Sequence, residues 1–157
     1  MTVDPPIRLA HPADAHDIAT MSRELIEHGL PWTWRPARVL KAISSPETNV
    51  AVVREHGELV AFGVMEYLES DAYLVLLGVE RAHQGRGLGS AVLRWQEAPA
   101  AAAGAQRIRL HARRDNLAGR AFYNEHGYHE VTIQPGRYAA TLDGIRLEKW
   151  LRPRPRD

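Results

Sequence analysis

The chain of 157 residues contains no cysteine and two lysines, Lys41 and Lys149, so that nearly all of its basic residues are arginine. Without cysteine there is no disulfide scaffold and no thiol nucleophile, a composition suited to a reducing compartment. The scarcity of lysine reads as codon usage. No apolar run reaches 18 residues, and the opening Met-Thr-Val-Asp-Pro-Pro has neither a basic segment nor an apolar core of leader type. These absences predict a cytoplasmic protein with no membrane partner. A formal net charge of +1, with no basic run before the last few residues, argues against a nucleic-acid surface. Eight histidines are scattered without any His-Glu-x-x-His or similar ligand spacing, so no metal is expected. The length suits a single domain, placed at 1–151, followed by a disordered tail at 152–157.

The most informative stretch runs from Leu77 to Ser90: Leu-Gly-Val-Glu-Arg-Ala-His-Gln-Gly-Arg-Gly-Leu-Gly-Ser. An apolar run over 72–79 precedes it, of the kind that fills a central strand, and Leu88, Ala91, Val92 and Trp95 follow at helical spacing. Strand, glycine-rich turn and helix together aim the unpaired N–H groups of a helix start at a phosphate. A P-loop would need Gly-x-x-x-x-Gly-Lys-Ser/Thr, and no lysine lies near. A dinucleotide fingerprint would need glycine or alanine where Ser90 stands, and an acid about 20 positions on, where Arg107 and Arg109 stand.

What remains, Gln84-x-x-Gly87-x-Gly89, resembles the acetyl-CoA-binding motif of the GNAT superfamily of N-acetyltransferases. A second block, Asn116 to Tyr128 (Asn-Leu-Ala-Gly-Arg-Ala-Phe-Tyr-Asn-Glu-His-Gly-Tyr), is similar to the later block of that superfamily. There an Asn precedes a short helix carrying a Tyr, followed by Gly and an aromatic residue. Physically, Asn116 is a good N-cap and Gly127 a good C-cap. The resemblance covers about 7–151 and implies an α/β (α+β) fold, a mixed, mainly antiparallel sheet of six to seven strands flanked by about four helices. Within the superfamily, Leu110 to Asn116 and Gly136-Arg137-Tyr138 look like the bacterial ribosomal-protein alanine N-acetyltransferase branch.

Along the chain, 7–9 reads as a short strand. Asp14 reads as the N-cap of an amphipathic helix carrying Ile18, Met21, Leu25 and Ile26 and ending at Gly29. A loop containing Trp32 and Trp34 leads to a second helix at 37–43. Those indoles either close the edge of the core or line the acceptor side. Strands at 50–53 and 59–67 are joined by His56-Gly57-Glu58, which is hairpin chemistry. Gly78 inside the next strand suggests a bulge or a close approach. Pro99 predicts a kink or break in the helix after the glycine turn, with a final turn at 100–103 capped by Gly104. Strands at 108–111, 128–133 and 145–150 follow, with a long loop at 134–144.

The resemblance assigns roles. Gln84, Gly85, Arg86, Gly87, Gly89 and Ser90 would hold the phosphates of acetyl-CoA, the acetyl donor. Main-chain groups of Leu77 and Val79 would pair with its pantetheine arm, and Asn116 would be cap and cofactor contact together. Tyr123 matches the general acid that protonates the departing sulfur. His111 stands where the ribosomal branch has a Glu base five residues before the Asn, and is either a base itself or a strand histidine. Trp32, Trp34, Glu66, Arg137 and Tyr138 are candidates for the acceptor side, with Glu69 and Asp71 as further carboxylates. The implied reaction is acetyl transfer to a primary amine by direct attack. A peptide or protein N-terminus is slightly preferred over a small amine as acceptor, and superfamily members often form homodimers. The competing reading is a non-catalytic acyl-CoA-binding or sensing domain.

Overall fold

A computed structural model of the chain describes residues 6–154. The outermost parts of the expected domain and tail, residues 1–5 and 155–157, lie outside the described residues. Seven strands, β1 (Arg8–Leu9), β2 (Thr48–Glu55), β3 (Glu58–Tyr67), β4 (Asp71–Val79), β5 (Arg107–Arg113), β6 (His129–Ala139) and β7 (Leu142–Trp150), follow the order β1-β2-β3-β4-β5-β7-β6. The sheet is mostly antiparallel, with β4 and β5 parallel, and four α-helices accompany it: α1 (Ala15–Met21), α2 (Pro36–Ser44), α3 (Leu88–Ala102) and α4 (Leu117–Glu125). This is the α/β architecture that the resemblance implies. The backbone divides into two compact units, one of residues 6–66 and 75–99, the other of 67–74 and 100–154, each described below by itself.

In the first unit, Val50, Val52, Phe62, Val64 and Leu76 pack with Ile18, Ala19, Trp34 and Val39 into one buried cluster. Ala51, Val53, Val60 and Ala61 form a second with Leu88 and Val92 of α3. The continuous burial of β2 and β3 follows from their near-unbroken apolar sequence, since both faces of each strand are covered. Gln96 fastens α3 to this hairpin, its side-chain amide donating to the carbonyls of Asn49 (3.1 Å) and Gly63 (3.0 Å). Gly78 marks a close approach: a Cβ there would lie 2.8 Å from Phe62 Cε1.

Asp14 stands at the N-cap of α1 as the sequence predicts, but its carboxylate makes no capping bond. It is buried and accepts from Arg8 Nη1 (2.9 Å), Arg54 Nε (2.8 Å) and the His11 N–H (2.7 Å), because two guanidiniums offer stronger, charge-assisted bonds than the helix amides. The predicted first helix changes pitch at Ser22–Ile26 into a π-helical turn and ends there, with Glu27 as its C-cap; Gly29, at φ 77, lies in the turn that follows rather than at the helix stop. Glu27 is buried and binds Ser22 Oγ (3.0 Å), Thr33 Oγ1 (2.6 Å) and the Thr33 and Trp34 N–H groups. Pro99 does not break α3, which is assigned as helix through to Ala102.

In the second unit, β5 pairs with β7 and β7 with β6. The long loop expected at 134–144 is instead the end of the β6–β7 hairpin, closed where Ala139 pairs with Leu142. Pro135 is tolerated because β6 is an edge strand whose missing N–H costs no ladder bond. Gly136, at φ 64, takes up the register shift, and its N–H donates to Asp143 Oδ1 (2.9 Å). Arg152 follows β7 without regular structure, its N–H directed at the Gln106 carbonyl (3.4 Å).

Candidate functional site

In the first unit, β4 ends at Val79 and the chain enters a 3₁₀ turn, Arg81–His83. Glu80 caps that turn by accepting from the Ala82 N–H (2.9 Å) and His83 Nδ1 (2.7 Å). Gln84 then reaches back to the Val79 carbonyl (3.0 Å), so a carbonyl of the expected pantetheine-pairing strand is held by a side chain of the expected phosphate turn. Gly85 (φ 82) and Gly87 (φ 83) take left-handed conformations that L side chains rarely adopt, and a Cβ at either would meet nothing within 4 Å. Both glycines are therefore required by backbone geometry, and the space above them is open. Gln84, Gly85, Arg86 and Gly87 are exposed, whereas Leu88 is buried and anchors the first turn of α3. The N–H groups of Leu88 and Gly89 lie in that first turn, where no helical carbonyl can reach them. Arg86 bridges to Glu55 (3.1 Å), which holds the turn against the end of β2. An open, glycine-lined helix start of this kind fits the pyrophosphate of a coenzyme A thioester.

In the second unit, Asn116 caps α4, its Oδ1 accepting from the Gly119 N–H (3.0 Å). A Cβ at 119 would sit 2.8 Å from the Asn116 amide carbon, so Gly119 is what lets the cap close. One turn on, Tyr123 is half-buried, its ring 5.2 Å from Phe122 and 5.8 Å from Tyr128 between centroids. Its carbonyl accepts from the Tyr128 N–H (3.0 Å), which ties the end of α4 to the start of β6. Burial, with a contribution from the Tyr138 phenol, pushes the Tyr123 hydroxyl well above the ordinary phenol value, so it stays protonated across the physiological range. Tyr138 is raised as well, by burial, against an opposing effect of Arg137.

His111 lies on β5, where buried Ile108, Leu110 and Ala112 alternate with half-buried Arg107, Arg109, His111 and Arg113. Tyr73 of β4 hydrogen-bonds His111 Nδ1, with ring centroids 5.4 Å apart. Burial first, then the guanidiniums of Arg137 and Arg146, lower the imidazole pKa to about 4. The sign of the resulting pH dependence follows directly. Unfolded, the imidazole titrates near 6.5; folded, near 4; between these values the unfolded chain binds more protons. Stability conferred by neutral His111 is thus complete above pH 6.5 and declines as the pH falls towards 4. For a partly exposed ring this amounts to about 2 kcal/mol. Urea midpoints measured at pH 7 and pH 4.5 are expected to converge between the native chain and His111→Gln at the lower pH.

The structure gathers Tyr123, Tyr138, Arg137 and His111 in the second unit, where electrostatic effects connect them. The acceptor-side candidates of the first unit have other surroundings. Trp34 is buried in the core cluster with Trp32 packed against it; Trp32 Nε1 donates to the Ala19 carbonyl (3.1 Å), and its ring carries Arg23 and Arg35, each 4.8 Å away. Glu66 is half-buried at the end of β3 opposite Thr48. Sequence reasoning missed Tyr73 and Glu27. Glu27 follows an amphipathic run with nothing to mark it as buried, and Tyr73 meets His111 only through the parallel register of β4 and β5. Among the described residues, no group of three or more His, Asp or Glu is arranged to hold a metal, and no helix is long and apolar enough to cross a membrane.

Residues 16–128, which contain the glycine turn, Asn116 and Tyr123, match the model of the Acetyltransferase (GNAT) family. The chain belongs to that family. N-alpha-acetyltransferase RimI of Mycobacterium tuberculosis (strain ATCC 25618 / H37Rv) is 30% identical over 132 residues, which cover 80% of this chain and 79% of that relative. The crystal structure of the ribosomal-protein-S18-alanine N-acetyltransferase from Escherichia coli matches with a TM-score of 0.80 over 97% of both chains at 20% identity. The PaiA N-acetyltransferase from Thermoplasma acidophilum, solved in complex with coenzyme A, matches with a TM-score of 0.78 over 92% of this chain and 98% of its own, at 17% identity. Within the GNAT family the chain is thus similar to the RimI branch, as the stretches Leu110 to Asn116 and Gly136-Arg137-Tyr138 imply.

Proposed function

We propose that this GNAT protein moves an acetyl group from acetyl-CoA to a primary amine by direct attack, residues 1–151 acting as one acetyltransferase domain and a peptide or protein N-terminus being preferred over a small amine. The observation that carries the reading is the exposed turn at Gln84–Gly87, whose two left-handed glycines leave open space before the first turn of α3. Acetyl-CoA supplies an activated acetyl group as a thioester. The turn and Ser90 receive its phosphates, Leu77 and Val79 offer main-chain groups to its amide arm, and Asn116 adds a contact beside its cap. Tyr123, kept protonated by burial, holds the proton that the departing sulfur takes. In balance, an N–C bond forms, the C–S bond breaks, sulfur gains one proton and the ammonium gives up two, leaving one for solvent.

His111 is placed beside the amine as a hydrogen-bond acceptor. A proton moving from an amine that titrates near 8 to an imidazole at about 4 climbs about 5 kcal/mol, so water is the better base. Arg137 and Tyr138 stand on the acceptor side in this reading, whereas Trp34 belongs to the core and Trp32 packs against it. Acetyl-CoA-dependent thiol release against short N-terminal peptides, polyamines and amino acids tests it, with turnover expected on at least one class. The weak base at His111 favours one alternative, an acyl-CoA-binding module. Silence across the panel while acetyl-CoA still raises the melting temperature would replace the transferase reading by that one.

A further inference from the structure

In the second unit, β5 and β7 pair so that His111 lies directly opposite Arg146, Arg113 opposite Gly144, and Arg109 opposite Glu148. Side chains two apart share a face of a strand, so His111, Arg109 and Arg113 stand on one face with Arg146 and Glu148. Arg137 joins them from β6, its stem lying across Gly144: a Cβ there would sit 2.7 Å from Arg137 Cδ. Only glycine at 144 leaves room for that stem.

The charges on this face do not cancel. Arg113 is offset by Asp115 (3.4 Å), and the two remaining carboxylates are already shared among three guanidiniums. Asp71 meets Arg107 at 3.2 Å and Arg109 at 3.6 Å; Glu148 meets Arg107 at 3.2 Å, Arg109 at 3.6 Å and Arg146 at 3.4 Å. Three arginines against two acids leave one positive charge. Arg137 adds a second, since its partners are the neutral Gln134 amide (3.1 Å) and the Tyr138 ring (5.9 Å). Arg137 and Arg146 are also the two cations that bear on the His111 ring. Such a surplus repels a plain ammonium and suits a planar anion that two guanidiniums can grip.

We propose that the acceptor amine carries a carboxylate, and that Arg137 and Arg146 hold that carboxylate beside His111. The proposal rests on the acetyl-transfer reading above and narrows its substrate class. Tyr73 engages the imidazole at Nδ1 and leaves Nε2 for the acceptor, and an amine bearing its own negative charge enters without net repulsion. A free amino acid and a peptide with an acidic residue next to its N-terminus share this chemistry.

The test compares matched acceptors that differ only in carboxylate against amide: alanine with alaninamide, and Ala-Asp-Ala-amide with Ala-Asn-Ala-amide. In at least one pair, kcat/KM for the acid is expected to exceed that for the amide tenfold or more; which pair responds distinguishes the free amino acid from the peptide. Arg137→Gln and Arg146→Gln are each expected to lower that ratio at least fivefold, mainly through KM, with partial recovery in the corresponding Lys variants. A merely structural arginine would depress both members equally and leave the ratio where it was. A ratio near one or favouring the amides, or a ratio that both Gln variants leave intact, overturns the proposal while acetyl transfer stands. Absence of thiol release with every acceptor of the wider panel overturns the transferase reading, and this proposal with it.

Discussion

Replacing Tyr123 by phenylalanine is expected to lower kcat by ten- to a hundred-fold while the acetyl-CoA KM stays within a factor of about three. The ring contacts with Phe122 and Tyr128, at 5.2 and 5.8 Å, involve no hydroxyl, so the variant keeps its packing and should melt close to the native temperature. General acid catalysis typically contributes 10²–10⁴-fold, and the lower end applies here for a physical reason. A phenol raised by burial is always protonated, but it is a weaker acid than the thiol it must protonate, whose ordinary pKa is about 8.5. In the proposed reaction, part of its effect would therefore be a hydrogen bond to the developing charge on sulfur, and part the proton itself. Turnover identical to the native rate would remove Tyr123 from the chemistry and leave it as a packing residue on α4.

The largest stability effect is expected at Asp14. Burial alone would raise its carboxyl, but hydrogen bonds from Arg8, the His11 N–H and Arg54 outweigh that cost and hold it far below the usual carboxylate range. One carboxylate thus fastens β1 and β2 to the start of α1, helped by the Arg54 contact with Asp17 at 2.9 Å. Asp14→Ala leaves Arg54, at 22% side-chain exposure, with a half-satisfied charge and is expected to cost about 3 kcal/mol in urea unfolding. The low end of the range for buried pairs applies because Arg8 is 40% exposed and can turn to water. Adding Arg54→Met should recover part of the loss, since it removes the orphaned cation; strict additivity of the two changes would show that the pair is not coupled. The stabilisation by Asp14 is present above the unfolded carboxyl value of 3.8 and fades as the pH falls below it, separate from the His111 window between 6.5 and 4.

Where a feature depended on a few consecutive residues, it was legible in the sequence. The strand, glycine turn and helix around Gln84 to Ser90, the Asn116 cap, the His56–Gly57 turn and the Gly127 stop all lie where backbone conformation is decided locally, by a missing Cβ or a short polar side chain. The same local logic failed for Pro135-Gly136. Those residues read as loop, yet Asp143, seven positions on, supplies the hydrogen bond that keeps them in the β6–β7 hairpin. Asp14 likewise read as a cap, because a sequence does not reveal that an arginine 40 residues later will compete for its carboxylate.

The sequence by itself determined the family: two motif blocks in the right order, with glycines whose positive φ only that residue type accepts readily. Tertiary structure decided the surroundings of His111. Burial first, and then Arg137, laid by the hairpin across Gly144, and Arg146, set opposite by strand register, made His111 a neutral, weakly basic ring. Charge and pKa at a site are sums over neighbours in space, and register, unlike a turn, is chosen by residues far apart in the chain.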